Sequence, residues 1–168
     1  MSYCASIDGP ETLAVFDIKG EIAAVTKRLS SLGIALPSEK NTAVTKDSLQ
    51  LCWVGQHHWI LLAQAQLEER LQSALTPDDP SVDCRVVLVS DVHAIFRVIG
   101  PQADEVLAIA SPLDTRHENF PIHGATFSDL FGTRALIMRQ RDGYITAIER
   151  SYADMISVYF SKILKGKS

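Results

Sequence analysis

The stretch LCWVGQHHWILLA, residues 51–63, sets two tryptophans on either side of a tandem histidine pair. It reads either as a metal site or as the turn of a β-hairpin. Adjacent histidines chelate poorly, because in a strand their side chains leave on opposite faces and in a helix they diverge by about 100°. Zinc also needs three or four convergent ligands, and only one ligand type is offered here. The hairpin explains the whole stretch. Leu51, Trp53 and Gly55 alternate along one strand, residues 55–58 hold the turn, and Trp59, Ile60, Leu61 and Leu62 rise into the return strand, so that the tryptophans meet across the sheet.

Upstream of this antiparallel centre, TLAVFD (12–17) reads as a strand. Ile22, Val25, Leu29 and Leu32 then recur at spacings of three and four, which predicts a helix over 21–32, stopped by Gly33. Beyond the polar loop PSEKNT come strands over 43–54 and 58–63, and a helix with Leu67, Leu71 and Leu75 on one stripe. The segment from Pro77 to Pro80 is a turn-rich connector to the second half.

That half opens with CRVVLVSDVHAIFRVIG (84–100), one or two strands, and Pro101 starts a short helix with Asp104 and Glu105 in its first turn. An irregular stretch, ASPLDTRHENFPIHG, follows. Strands are expected at 125–130, 133–139 and 144–148, the last two joined by the hairpin signal Asp142-Gly143. Ser151 and Asp154 resemble a capping box opening the final helix, whose apolar face carries Tyr152, Met155, Ile156, Tyr159, Phe160, Ile163 and Leu164 and which Gly166 ends. Each half thus runs strand, helix, antiparallel strands, helix. The pattern is that of an α+β fold, a single domain over 1–168 with two similar lobes at roughly 12–76 and 84–165.

The 168 residues are 46% hydrophobic and 21% charged, enough apolar mass for a sizeable core. With 16 Lys+Arg against 20 Asp+Glu, and no basic cluster interleaved with aromatics, nucleic acid is not an expected partner. The aliphatic runs are too short to span a bilayer and the N-terminus lacks the form of a leader, so a cytoplasmic protein without a membrane partner is expected. Cys4, Cys52 and Cys84 are odd in number and widely spaced, as reduced thiols are.

Candidate chemistry concentrates in Asp114-Thr115-Arg116-His117-Glu118 through His123, which combines carboxylates, an arginine and two histidines without a secondary-structure period. An ordinary exposed loop has the same composition, and the histidine spacing matches no metal signature. Asp91-Val92-His93 places an acid and a base on one strand face, as an oriented base or as a strand-end pair. G-x-S-x-G is absent, as are the glycine-rich phosphate loops, so neither a nucleophile elbow nor dinucleotide or ATP binding by those routes is expected. Lys162, Lys165 and Lys167 complement a helix C-terminus.

In their order and spacing, WVGQHHWILLA, VSDVHAIFRVIGPQADEVL, SPLD, FPIHG and DGYITAIERSYADMISVYF resemble the gamma subunit family of heterotetrameric sarcosine oxidase, itself related to the glycine-cleavage T-protein folate-binding fold. The resemblance covers roughly residues 40–165. In that family the hairpin looks like Trp-aliphatic-Gly-Pro-Asp-Glu-Trp, so Gln56, His57 and His58 occupy its turn here. The folate-binding relatives carry an Asp-Asp pair after a glycine-rich turn; the corresponding stretch is FGTRALIM, with Arg134 and Ala135 in place of the acids. The resemblance implies a non-catalytic scaffold subunit without a cofactor of its own. FAD, FMN, NAD, tetrahydrofolate and zinc are then expected in larger alpha, beta and delta-type partners that together oxidatively demethylate sarcosine or a related secondary amine. Arg150-Ser151-Tyr152-Ala153 resembles a family motif, and Asp114, Arg116, His117, Arg150 and Tyr152 are the candidate partner-interface or loop positions. The alternatives are a free-standing tetrahydrofolate-binding or one-carbon-transfer protein of the T-protein type, and a small hydrolase using Asp91, His93, Asp114 or His117.

Overall fold

The computed structural model describes residues 3–76 and 83–166, so the connector around Pro77–Pro80 and Lys167 lie outside the described residues. The chain divides into two compact units, one of Leu13–Ser90 and one of Met1–Thr12 with Asp91–Ser168.

In the first unit, β2 (Leu13–Gly20), β3 (Ala43–Lys46), β4 (Leu49–Gly55), β5 (His58–Gln64) and β6 (Cys84–Leu88) form an antiparallel sheet in the order β3-β4-β5-β2-β6. Helices α1 (Ile22–Ser30) and α2 (Glu68–Leu75) belong to it. The hairpin forms as its sequence dictates. Trp53 and Trp59 are direct cross-strand partners with ring centroids 6.0 Å apart and nearly parallel planes, and the Trp53 indole donates to the Gly55 carbonyl at 2.8 Å. Trp59 is fully buried with Phe16, Leu51 and Leu61 against Val25 and Leu29 of α1. Burying each such side chain contributes about 1.5–3 kcal/mol. Gly33, at φ +64, donates to the Ser30 carbonyl and ends the α1 segment.

The second unit holds β1 (Ser6–Glu11), β7 (His93–Ile99), β8 (Ala125–Leu130), β9 (Thr133–Gln140) and β10 (Gly143–Glu149), in the order β1-β7-β10-β9-β8, with α3 (Ala103–Ala110) and α4 (Ala153–Lys165). The two sheets share one topology, with β7, β10, β9 and β8 in the places of β2, β5, β4 and β3. Phe96, Val98, Ile137 and Tyr144 pack with Val106 and Leu107 of α3 and with Ile156 and Phe160 of α4. Ile95, Leu136, Met138 and Ile145 on the opposite face are buried as well, which is why these strands carry unbroken apolar runs.

Four expectations are corrected. The lobe boundary falls later than 84, because Cys84–Leu88 pairs with β2 and turns Cys84, Val86 and Leu88 toward the first core. The second unit begins before residue 12, since SIDGPE forms β1 against β7. Its glycine and proline disguise it, and an edge strand tolerates them. The expected strand at 43–54 is two strands, reversed at Asp47, which adopts φ +52 as aspartate readily does. Ser151 is not the cap of α4. A 3-10 turn over Arg150–Tyr152 moves the helix start to Ala153, and the Ser151 hydroxyl donates to Glu149 instead.

Candidate functional site

The irregular segment after α3 is held by one network. Arg139 on β9 donates through Nη1 to the carbonyls of Thr115 and Phe120, the latter at 3.0 Å, while Nη2 lies 3.3 Å from Oδ2 of Asp104 in the first turn of α3. Tyr144 on β10 donates its phenol to Asp104, and its ring stacks on Phe120. Burial, followed by the bond to Asp104, pushes the Tyr144 phenol well above its usual range. The guanidinium is thereby committed to structure, and the loop hangs from the sheet by its backbone.

Within the loop, Asp114 accepts from the backbone N–H of Arg116 at 3.1 Å, from its guanidinium at 2.5 Å and from Asn119 at 2.6 Å. These bonds, those from Arg116 foremost, hold the Asp114 carboxyl well below the usual carboxylate range. Glu118 stands 3.5 Å from the same guanidinium. A carboxylate so satisfied is a loop fastener rather than a free base. His117 lies apart from this pair, lining an open cleft with Pro101, Asp104, Arg139, Arg141 and Asp142.

Arg150 acts on its own unit. It donates to the carbonyls of Asp91 at 2.9 Å and His93 at 2.6 Å and reaches the Thr12 hydroxyl at 3.4 Å, tying the turn before α4 to the entry of β7. Asp91 sits in a 3-10 turn and His93 opens β7, so the two do not share the expected strand face. Tyr152 is 41% exposed at the head of α4. Asp114 and Arg116 thus pair within the loop after α3, His117 of the same loop lines the neighbouring cleft, and Arg150 and Tyr152 stand in the turn before α4.

In the other unit the histidine pair divides its loyalties. His57 adopts φ +54 at the turn, with Nδ1 3.7 Å from Glu21, while His58 Nε2 lies 2.9 Å from Asp17 on β2. Among the described residues no group of three His, Cys, Asp or Glu side chains is placed to hold a metal ion. The thiols of Cys52 and Cys84 are raised by burial, which keeps them protonated and inert.

Sequence reasoning missed the environment of Arg134. Its guanidinium lies 4.0 Å from the ring centroid of Phe127, its neighbour across the β8–β9 hairpin. An aromatic residue diagonal to an arginine on one sheet face was the available signal.

Residues 19–164 match the sequence profile described as Sarcosine oxidase, gamma subunit family. Heterotetrameric sarcosine oxidase from Corynebacterium sp. U-96, in complex with pyrrole 2-carboxylate, superposes with a TM-score of 0.76 at 17% identity, covering 98% of this chain and 87% of that one. The glycine cleavage system aminomethyltransferase T from Bartonella henselae gives 0.68 at 18% identity over 95% of this chain and 46% of that one, so this chain spans about half of the larger protein. The regulatory subunit of aspartate kinase from Thermus flavus gives 0.51 at 13% identity, with 95% and 96% covered. At such identities the likeness is one of fold. No curated protein matches by sequence.

Proposed function

The chain belongs to the sarcosine oxidase gamma subunit family, and from that premise we propose that it is a non-catalytic accessory subunit of a heterotetrameric, flavin-dependent oxidase that demethylates sarcosine or a related secondary amine. The observation that carries this reading is the family match across nearly the whole chain. The chain acts as one gamma-type domain, and its partners are larger alpha, beta and delta-type subunits in the cytoplasm. FAD, FMN, NAD, tetrahydrofolate and zinc reside in those partners. Among the described residues no helix is long and apolar enough to cross a membrane. Asp114 with Arg116, bonded to each other, and Arg150, bonded to backbone carbonyls, serve this role as preorganised surface that lowers the cost of forming an interface, with His117 and Tyr152 beside them.

Affinity purification of the tagged chain from its native cells tests the proposal. The expected product is yellow, carries larger subunits and oxidises sarcosine or a close secondary amine. The chain recovered alone, colourless and stabilised by tetrahydrofolate, would instead establish the free-standing folate binder. Arg134 disfavours that alternative, because it places a cation over Phe127 where the resemblance implies a pterin-holding acid.

A further inference from the structure

Helix α4 buries Ile156 and Phe160 in its own unit, yet it keeps a second row in water. Val158 is 50% exposed, Tyr152 41% and Tyr159 38%, with Met155 half-buried among them. Spacings of three, four and seven place these residues on one side of the helix. Within the row, Tyr159 is held in place. The ring of Tyr159 lies 5.2 Å from that of Phe131 and 5.9 Å from the Lys162 ammonium. Phe131 itself adopts φ +51 in the β8–β9 turn, a left-handed conformation that a phenylalanine rarely takes. Its ring packs edge-on against Phe160, which fixes it there.

The ends of the row carry opposite charge. Asp154 stands one turn before Val158, Lys162 one turn after, and Lys165 beyond it. None of the three forms an ion pair among the described residues. An antiparallel helix laid along this row would bring its N-terminal end to the lysines and its C-terminal end to Asp154. Helices favour carboxylates at the first end and cations at the second, so such a helix meets α4 with matched charges at both ends and apolar side chains between.

We propose that the row formed by Tyr152, in the turn before α4, and by Val158 and Tyr159 of α4 is the docking surface for an antiparallel amphipathic helix of a larger partner subunit, with carboxylates opposite Lys162 and Lys165. This rests on the accessory-subunit reading above. It adds where the assembly holds this chain and by what chemistry. Tyr159, already held by Phe131 and Lys162, would be its anchor.

The test uses the complete assembly, co-expressed with this chain tagged, and compares Val158→Lys, the double variant Lys162→Glu/Lys165→Glu, and Val87→Lys, an equally exposed valine on β6 of the other unit. The readout is flavin absorbance recovered per tagged chain, alongside circular dichroism of each chain. The expected result is a loss of tenfold or more for both α4 variants, none for Val87→Lys, and a wild-type recovery that falls with rising salt. Should Val158→Lys misfold, the lysine variant, altered only at exposed positions, decides. Full recovery from folded α4 variants would overturn the docking surface while leaving the subunit reading intact. Wild-type chain that recovers no flavin would overturn both. A chain that dimerises alone through this row, shown by light scattering and abolished by Val158→Lys while flavin recovery persists, would make a second copy the occupant and equally overturn the proposal.

Discussion

Oδ1 of Asp17 lies 2.9 Å from Nε2 of His58, joining β2 to β5 beside the hairpin turn, while the neighbouring His57 turns toward Glu21. Each histidine has its own carboxylate, and the pair does not converge on a point. Excess zinc is therefore expected to leave the melting temperature unchanged. A rise of several degrees, abolished by His57→Gln or His58→Gln, would restore the metal reading. Because the Asp17–His58 pair is partly exposed, Asp17→Asn should cost no more than about 1 kcal/mol in urea unfolding.

The network of Asp104, Arg139 and Tyr144 gives a larger effect. Tyr144→Phe removes one bond to a carboxylate and should cost about 1.5–3 kcal/mol. Arg139→Met releases the carbonyls of Thr115 and Phe120 together, and hydrogen exchange should then accelerate across 114–123 before it does in the strands.

Stability should fall at both pH extremes, for different groups. Asp114 has a depressed folded value, so its contribution is present above the ordinary carboxylate range and lost as the pH falls below it. Tyr144 has a raised folded value. Its contribution is complete below the ordinary phenol value of 10.0 and is lost as the pH climbs beyond it, because the unfolded chain ionises first. Thermal melts between pH 9 and 11 should show a decline that is shallower in Tyr144→Phe; an identical slope in the variant would contradict the assignment.

Arg150 holds three oxygens with one planar fork, which an ammonium cannot span. Arg150→Lys is thus expected to lose nearly as much stability as Arg150→Ala, about 1–3 kcal/mol by denaturant titration. Near-complete rescue by lysine would show that charge alone suffices.

Glycine substitutions separate crowding from conformation. A Cβ on Gly143 would stand 1.9 Å from the Val98 carbonyl, so Gly143→Ala should prevent β10 from pairing with β7 and leave little soluble protein. A Cβ on Gly132 meets nothing within 4 Å, so Gly132→Ala carries only the strain of its φ of +82, about 1 kcal/mol. Expression and melting temperature of the two variants should differ accordingly.

Trp53 and Trp59 flank a turn of polar residues, and that local pattern is sufficient to specify the hairpin and the meeting of the two rings across it. The same holds for α1 and α4, whose apolar positions recur at helical spacing, and for the β9–β10 turn at Asp142-Gly143. These features depend on neighbours in the chain, so the sequence by itself determined them, and with them the α+β class and the family. What the sequence could not assign was partnership across distance. CRVVL satisfies an edge position in either sheet, and only the burial of Cys84, Val86 and Leu88 beside Phe16 and Ile18 selects the first. SIDGPE pairs with a strand more than eighty residues away. The site residues divide in the same manner: Asp114 and Arg116 find each other two positions apart, whereas Arg150 reaches the backbone of Asp91 and His93, and Arg139 that of Thr115 and Phe120. Carbonyl oxygens carry no sequence signature, since every residue has one. Which of them an arginine satisfies is decided only when the packed sheets and helices bring those carbonyls within its reach.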